Sequence, residues 1–149
     1  MATTIGLMGF GRIGRNLFRI LYRSEDIKLA AISDIADHKA LEYLLRFDTI
    51  LGPFPDEVSI QEGNLYTVGR QIPMLSEKEP GDVPWGDLGV DTVIEATAQH
   101  RTREDFEKHL KQGAKRVILC VPQKTPPDIT VVMGCLLYTS DAADEVVPV

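Results

Sequence analysis

A chain of 149 residues, 44% hydrophobic and 26% charged, fits one domain that buries roughly 68–70% of its unfolded surface. It holds no apolar run near the roughly 20 residues that cross a bilayer. Its net charge of −6, with Lys and Arg scattered, offers no basic stripe for a nucleic-acid backbone. Membrane and nucleic acid are thereby set aside as main partners. The two cysteines, Cys120 and Cys135, are too few for a disulfide framework and have no neighbour at metal-ligand spacing. The N-terminus lacks a secretory pattern, so a cytoplasmic location is expected.

In chain order, the segment Thr4 to Met8 is short and mostly apolar and runs into glycines, which predicts a buried strand feeding a tight turn. Ile13, Leu17, Ile20 and Leu21 then recur at helical spacing. A second apolar run, Leu29 to Ile32, stops at Ser33-Asp34. Strand, helix and strand in about 30 residues make the minimal βαβ unit. A second helix is predicted from His38 to Arg46, with Leu41, Leu44 and Leu45 on one side. Between Gly52 and Leu75 the alternation of Val58 and Ile60, the turn residues Glu62-Gly63-Asn64, and the runs 65–68 and 72–75 predict a small antiparallel insertion.

Glu79 to Gly86 reads as a loop before another parallel-type strand at Thr92 to Ile94. Thr102 is the expected N-cap of a helix through Gln112, with Glu104 and Asp105 near its positive end, Gly113 after its close, and Phe106 and Leu110 facing inward. Two last strands are expected at Arg116 to Val121 and Ile129 to Met133. The alternation argues for a Rossmann-type, doubly wound α/β sheet, mainly parallel, over residues 1–134. From Cys135 onward nothing continues the sheet pattern, and 135–149 reads as a non-native tail.

Gly9-Phe10-Gly11-Arg12-Ile13-Gly14 is a G-x-G-x-x-G run between a predicted strand and a predicted helix, the context in which it marks a dinucleotide site. Gly9 permits the turn, Gly11 lets backbone N–H groups approach a pyrophosphate at the positive helix end, and Gly14 allows close helix packing. Asp34, about 20 residues beyond, stands where a carboxylate holds both hydroxyls of an adenine ribose and repels a 2′-phosphate. NAD is therefore expected over NADP.

The glycine run with Arg15, then Leu45 to Thr49, Pro84-Trp85-Gly86, Val93 to Thr97 and Gly113 to Ile118 together resemble the phosphorylating glyceraldehyde-3-phosphate dehydrogenase family. The motifs stay in register through Gly134, about nine-tenths of the chain. The resemblance implies the NAD-binding half of an aldehyde oxidoreductase of glycolysis and gluconeogenesis. Its partners would be NAD, a small phosphorylated aldehyde and further copies of itself. By position it places Arg12 and Ile13 on the pyrophosphate, Asp34 on the ribose, the Lys78 backbone near the adenine, Thr97 and Ala98 in a turn beside the cofactor, and Cys120 near the nicotinamide.

Departures from the family pattern include Met8 for asparagine, Ala96 and Ala98 for serine and glycine, His100 near the usual aromatic, and Cys120-Val121-Pro122 for Ser-Ala-Pro. They concentrate on the nicotinamide side. Cys120, at the end of an apolar strand, also reads as a small buried hydrophobe. The family's cysteine segment, of Ser-x-Cys-Thr-Thr-Asn type, does not occur here, and Cys135 does not match it. His38, His100 and His109 do not match the family base and are expected on the surface, so no catalytic residue and no metal site is assigned. Erythrose-4-phosphate dehydrogenase, a stand-alone NAD-binding module and, more weakly, a Rossmann-like methyltransferase are the alternatives.

Overall fold

The structure, a computed structural model, describes residues 2–131. Strand β1 (Thr3–Met8), helix α1 (Arg12–Leu21) and strand β2 (Ile27–Ser33) form the opening βαβ unit. Helix α2 (His38–Arg46) follows, and then a two-stranded antiparallel ribbon of β3 (Phe47–Asp48) and β4 (Gly52–Pro53). Strands β5 (Val58–Gln61), β6 (Asn64–Thr67) and β7 (Arg70–Leu75) form a meander. Strand β8 (Thr92–Glu95), helix α3 (Arg103–Lys111) and strand β9 (Arg116–Leu119) complete the described elements.

The antiparallel meander is not a separate sheet. β7 pairs in parallel with β2 through Ile32↔Met74 and Ser33↔Leu75, giving one seven-stranded sheet in the order β5-β6-β7-β2-β1-β8-β9. β1 lies inside the sheet, parallel to both β2 and β8, and strand order reverses beside it. That reversal opens a crevice beyond the carboxyl ends of the strands, where open α/β sheets bind ligands. Register fixes what meets there. Met8 pairs with Ser33 and with Glu95, so Gly9, Asp34 and Ala96 leave the sheet side by side.

One apolar cluster joins Leu7, Phe10, Phe18, Leu29, Ile32, Leu41, Leu45, Leu65 and Met74. A second gathers Met8, Ala31, Val83, Trp85 and Val93 on the opposite face. Helix ends follow the local chemistry. Asp37 caps α2 by accepting from the Ala40 N–H at 3.0 Å. Thr102 and Asp105 form a reciprocal capping box at α3, which satisfies donors the helix itself leaves unpaired.

Helix phases differ from the sequence expectation in three places. In α1 the inward row is Gly14 and Phe18, and Ile13 and Ile20 are exposed, because the glycine draws that row onto the sheet. Leu41 and Leu45 are buried in α2, but Leu44 is exposed. In α3 the fully buried side chain is His109, whereas Leu110 is exposed and Phe106 half-buried. The predicted last strand is absent over 129–131, where the residues are exposed. Its remaining residues, Cys135 and the tail 135–149 lie outside the described residues.

Candidate functional site

Gly9 leaves β1 with φ +95°, a left-handed conformation that a side chain rarely tolerates. A Cβ there would lie 2.8 Å from the Thr97 nitrogen. At Gly14 a Cβ would overlap the Gly9 carbonyl oxygen. These two glycines are therefore demanded by the protein's own packing. Gly11 is different. Its φ is an ordinary −71°, and among the described residues a Cβ built on it meets nothing within 4 Å. The described residues leave room at Gly11 that they do not themselves fill.

α1 starts at that opening without a side-chain cap. The N–H groups of Arg12, Ile13 and Gly14 thus stand at the positive end of the helix with no intrahelical acceptor. Behind the turn lies Arg15, only 8% exposed, whose Nη1 donates to the Phe10 carbonyl at 3.0 Å. Burial pushes its guanidinium below the ordinary value, against the opposing pull of Asp48 and Asp34. Arg15 is a supporting residue to which sequence reasoning assigned no role.

Asp34 ties β2 to the glycine turn. Its Oδ2 accepts from the Phe10 N–H at 2.6 Å and its Oδ1 from the Ala36 N–H at 2.8 Å. The carboxylate is thereby held at the mouth of a cleft of about 170 Å3 lined by Met8, Gly9, Gly11, Asp34, Lys78 and Thr97, among others. Ser33, Ile35, Glu77, Ala96, Gln99 and His100 complete the lining. The cleft is smaller than the roughly 300–1,000 Å3 of enclosed ligand pockets, so an extended nucleotide would lie partly on the open sheet edge. A larger groove, of about 840 Å3 between β4 and the meander, contains none of the glycine-turn residues.

Of the residues expected at the site, Gly9, Gly11, Asp34, Lys78 and Thr97 converge on this cleft. Arg12, Ile13 and Gly14 are not in the lining but form the helix start that follows Gly11, and the Phe10 side chain is fully buried in the core. Ala98 is outside the lining but adopts φ +62°, a left-handed conformation costly for a residue with a Cβ. Cys120 is not in the lining either. It is half-buried against the main core cluster and donates its N–H to the Glu95 carbonyl. Burial, and then the Glu95 charge, push its thiol up, away from the reactive thiolate form.

Two histidines expected on the surface are buried. His100 faces the cleft and pairs through Nε2 with the Lys78 carbonyl at 3.1 Å, which holds the Lys78 backbone on the cleft wall. His109 is wholly buried and accepts at Nδ1 from the Trp85 indole N–H at 2.9 Å, while its Nε2 faces Glu95 Oε2 at 3.2 Å. A histidine in a helix otherwise rich in charge gives no periodic sign of its burial; only the arrival of Trp85 and Glu95 from distant segments creates partners for it.

With this geometry in view, a family model described as glyceraldehyde 3-phosphate dehydrogenase, NAD binding domain, matches residues 3–103. The chain belongs to the glyceraldehyde-3-phosphate dehydrogenase family. It is 44% identical over 134 residues to the glyceraldehyde-3-phosphate dehydrogenase of Geobacillus stearothermophilus, a match covering 90% of this chain and 40% of that protein. It is 47% identical over 135 residues to the enzyme of that name from Streptomyces coelicolor, covering 90% and 40%. Against the one from Thermotoga maritima it is 46% identical over 133 residues, covering 88% and 40%. The chain thus spans about two-fifths of the length of the curated relatives it matches. Within this family the described fold is the Rossmann-type NAD-binding domain, and NAD is its cofactor.

The residues present fit that dinucleotide. Open space at Gly11, free N–H groups at a positive helix end and a positioned carboxylate at Asp34 are the features a pyrophosphate and an adenine ribose need.

Proposed function

We propose that residues 1–134 supply the NAD site of an enzyme that oxidises a small phosphorylated aldehyde, the glycolytic reaction of its relatives, and that it prefers NAD to NADP. One observation carries the reading: Gly11 is a glycine that the protein's own packing does not require, placed at an uncapped helix start across from Asp34. NAD, when bound, supplies the hydride acceptor. The chain's own residues bind and orient it. The helix-start N–H groups of Arg12, Ile13 and Gly14 hold the pyrophosphate, Asp34 accepts from the ribose hydroxyls, and the Lys78 backbone and Thr97 border the cleft.

Asp34 also sets the choice of nucleotide, since its carboxylate would face a 2′-phosphate with like charge. Calorimetric titration with NAD and NADP tests this. NAD should bind at least tenfold more tightly, and Asp34→Ala should weaken NAD by about tenfold while narrowing the preference. Equal affinities for the two nucleotides would refute the assignment.

The residues 1–149 by themselves should give no dehydrogenase turnover. Acyl-phosphate formation needs a nucleophile, a base and sites for two phosphate groups, and Cys120 is a half-buried thiol pushed away from ionisation. NADH formation from glyceraldehyde 3-phosphate, NAD and phosphate should match a buffer blank. Turnover abolished by Cys120→Ser would overturn the structural role of Cys120. Exposed Ile13, Ile20, Tyr43, Leu44, Phe47 and Ile50 support self-association, in keeping with a homo-oligomeric complete enzyme in the cytoplasm.

A further inference from the structure

A chain of hydrogen bonds runs from the second core cluster to the wall of the cofactor cleft. The Trp85 indole donates to His109 Nδ1 at 2.9 Å. His109 Nε2 meets Glu95 Oε2 at 3.2 Å. Glu95 Oε1 accepts both the Thr97 N–H at 2.8 Å and the Thr97 hydroxyl. That hydroxyl in turn accepts from the Gln99 N–H at 3.2 Å. Trp85, His109 and Glu95 are all 0% exposed.

Both ends of this chain are obligatory donors, an indole N–H and a backbone N–H. The direction of the links through His109 is therefore determined. His109 must be the neutral imidazole with its proton on Nε2, because a proton on Nδ1 would face the indole N–H. Glu95 accepts from the His109 Nε2–H at one oxygen and from the Thr97 backbone N–H at the other. The opposite tautomer of His109 would leave the buried indole N–H without an acceptor. What the chain terminates on is the turn 96–99, of which Ala96, Thr97 and Gln99 line the cleft and Ala98 is held at φ +62°. A turn containing a left-handed alanine persists only where its surroundings over-determine it.

We infer that Glu95, oriented by His109 and Trp85, is a positioning residue for NAD: it holds the turn 96–99 in the shape the cleft needs. Glu95 itself is buried and lines no part of the cleft. The inference rests on the NAD reading of the site and adds residues outside it. It also couples the cofactor to the chain's single tryptophan, which provides a readout independent of activity.

The test uses the full 149-residue chain with NAD as the probe. His109→Leu should weaken NAD binding by about tenfold, because it leaves the Trp85 donor and a Glu95 oxygen unpaired. His109→Gln, which offers an acceptor and a donor of its own, should restore affinity to within about threefold of the unmodified chain. In a nitrogen-15 spectrum the Trp85 indole N–H resonance should move on saturation with NAD, although Trp85 does not line the cleft. Should His109→Leu fail to fold, that resonance decides alone. Equal affinities in the unmodified chain and His109→Leu, or an indole resonance unmoved at saturation, would overturn the inference while leaving the cofactor reading intact. No NAD binding by the unmodified chain would overturn both.

Discussion

Two tight turns of this molecule contain glycine for opposite reasons. In the turn 9–14, Gly9 and Gly14 are required because protein atoms crowd the space a Cβ would take, whereas Gly11 opens onto nothing. In the β6–β7 hairpin the two turn residues are Val68 at φ +46° and Gly69 at φ +70°. Such two-residue hairpins favour asparagine or glycine at both positions, and a β-branched residue at positive φ is strained. On the proposed reading the first turn answers to a ligand as well as to packing. The second answers only to the fold, and there the sequence tolerates a poor fit. What separates them is where the constraint originates, and substitution can show it.

The largest effect should come from Gly14→Ala. With no room beside the Gly9 carbonyl, the helix must move off the sheet, and thermal or denaturant unfolding should show a loss of about 3 kcal/mol or no folded protein. Gly11→Ala should behave in the reverse way. Stability should change by less than about 1 kcal/mol, yet NAD affinity by calorimetry should fall at least about tenfold, since the new methyl occupies the ligand's space. If both variants lose stability alike, the contrast drawn between the two glycines collapses.

In the hairpin, Val68→Asn should raise stability by about 1 kcal/mol by relieving the positive-φ strain, with NAD affinity unchanged. A fall in melting temperature would mean that the Val68 side chain contributes packing that outweighs its backbone cost.

The smallest effect concerns Asp56, which ties the loop before the meander to the end of α1. It accepts from the Tyr22 hydroxyl at 2.5 Å and from Arg23 at 2.6 Å, and these two hydrogen bonds hold its carboxyl below the usual value. A depressed folded-state pKa adds stability that is present above the unfolded value of about 3.9 and is lost as pH falls through the folded one. Asp56→Asn should therefore lower stability slightly at neutral pH, where the ionised carboxylate contributes, and flatten the acid limb below about pH 4, where parent and variant converge. An acid limb identical to that of the parent chain would remove Asp56 from the account of acid unfolding.

How far the chain itself discloses these features depends on whether their cause is local. The glycine run, the Thr102 cap and the opening βαβ unit rest on contacts within a few residues or on a simple period, and they are legible. The meander was legible as hairpins, but its union with β2 was not, since the Ile32↔Met74 pairing joins segments about forty residues apart. Inward faces failed for a related reason. Apolar periodicity points to Ile13 and Leu110, yet the close approach of Gly14 and the polar partners of His109 decide which row turns inward.

By itself the sequence determined the strand-turn-helix at the glycines, the Asp34 carboxylate beyond it, the alternating α/β pattern and the family motifs, because each is a short-range or position-counted feature. Only the tertiary structure decided that Gly11 faces open space, that His100 holds the Lys78 backbone, and that Trp85, His109 and Glu95 join into one buried chain ending on Thr97. Each of these is set by groups from separate elements meeting at one place. A hydrogen-bond partner some 14 or 24 residues away leaves no periodic trace in the residues between.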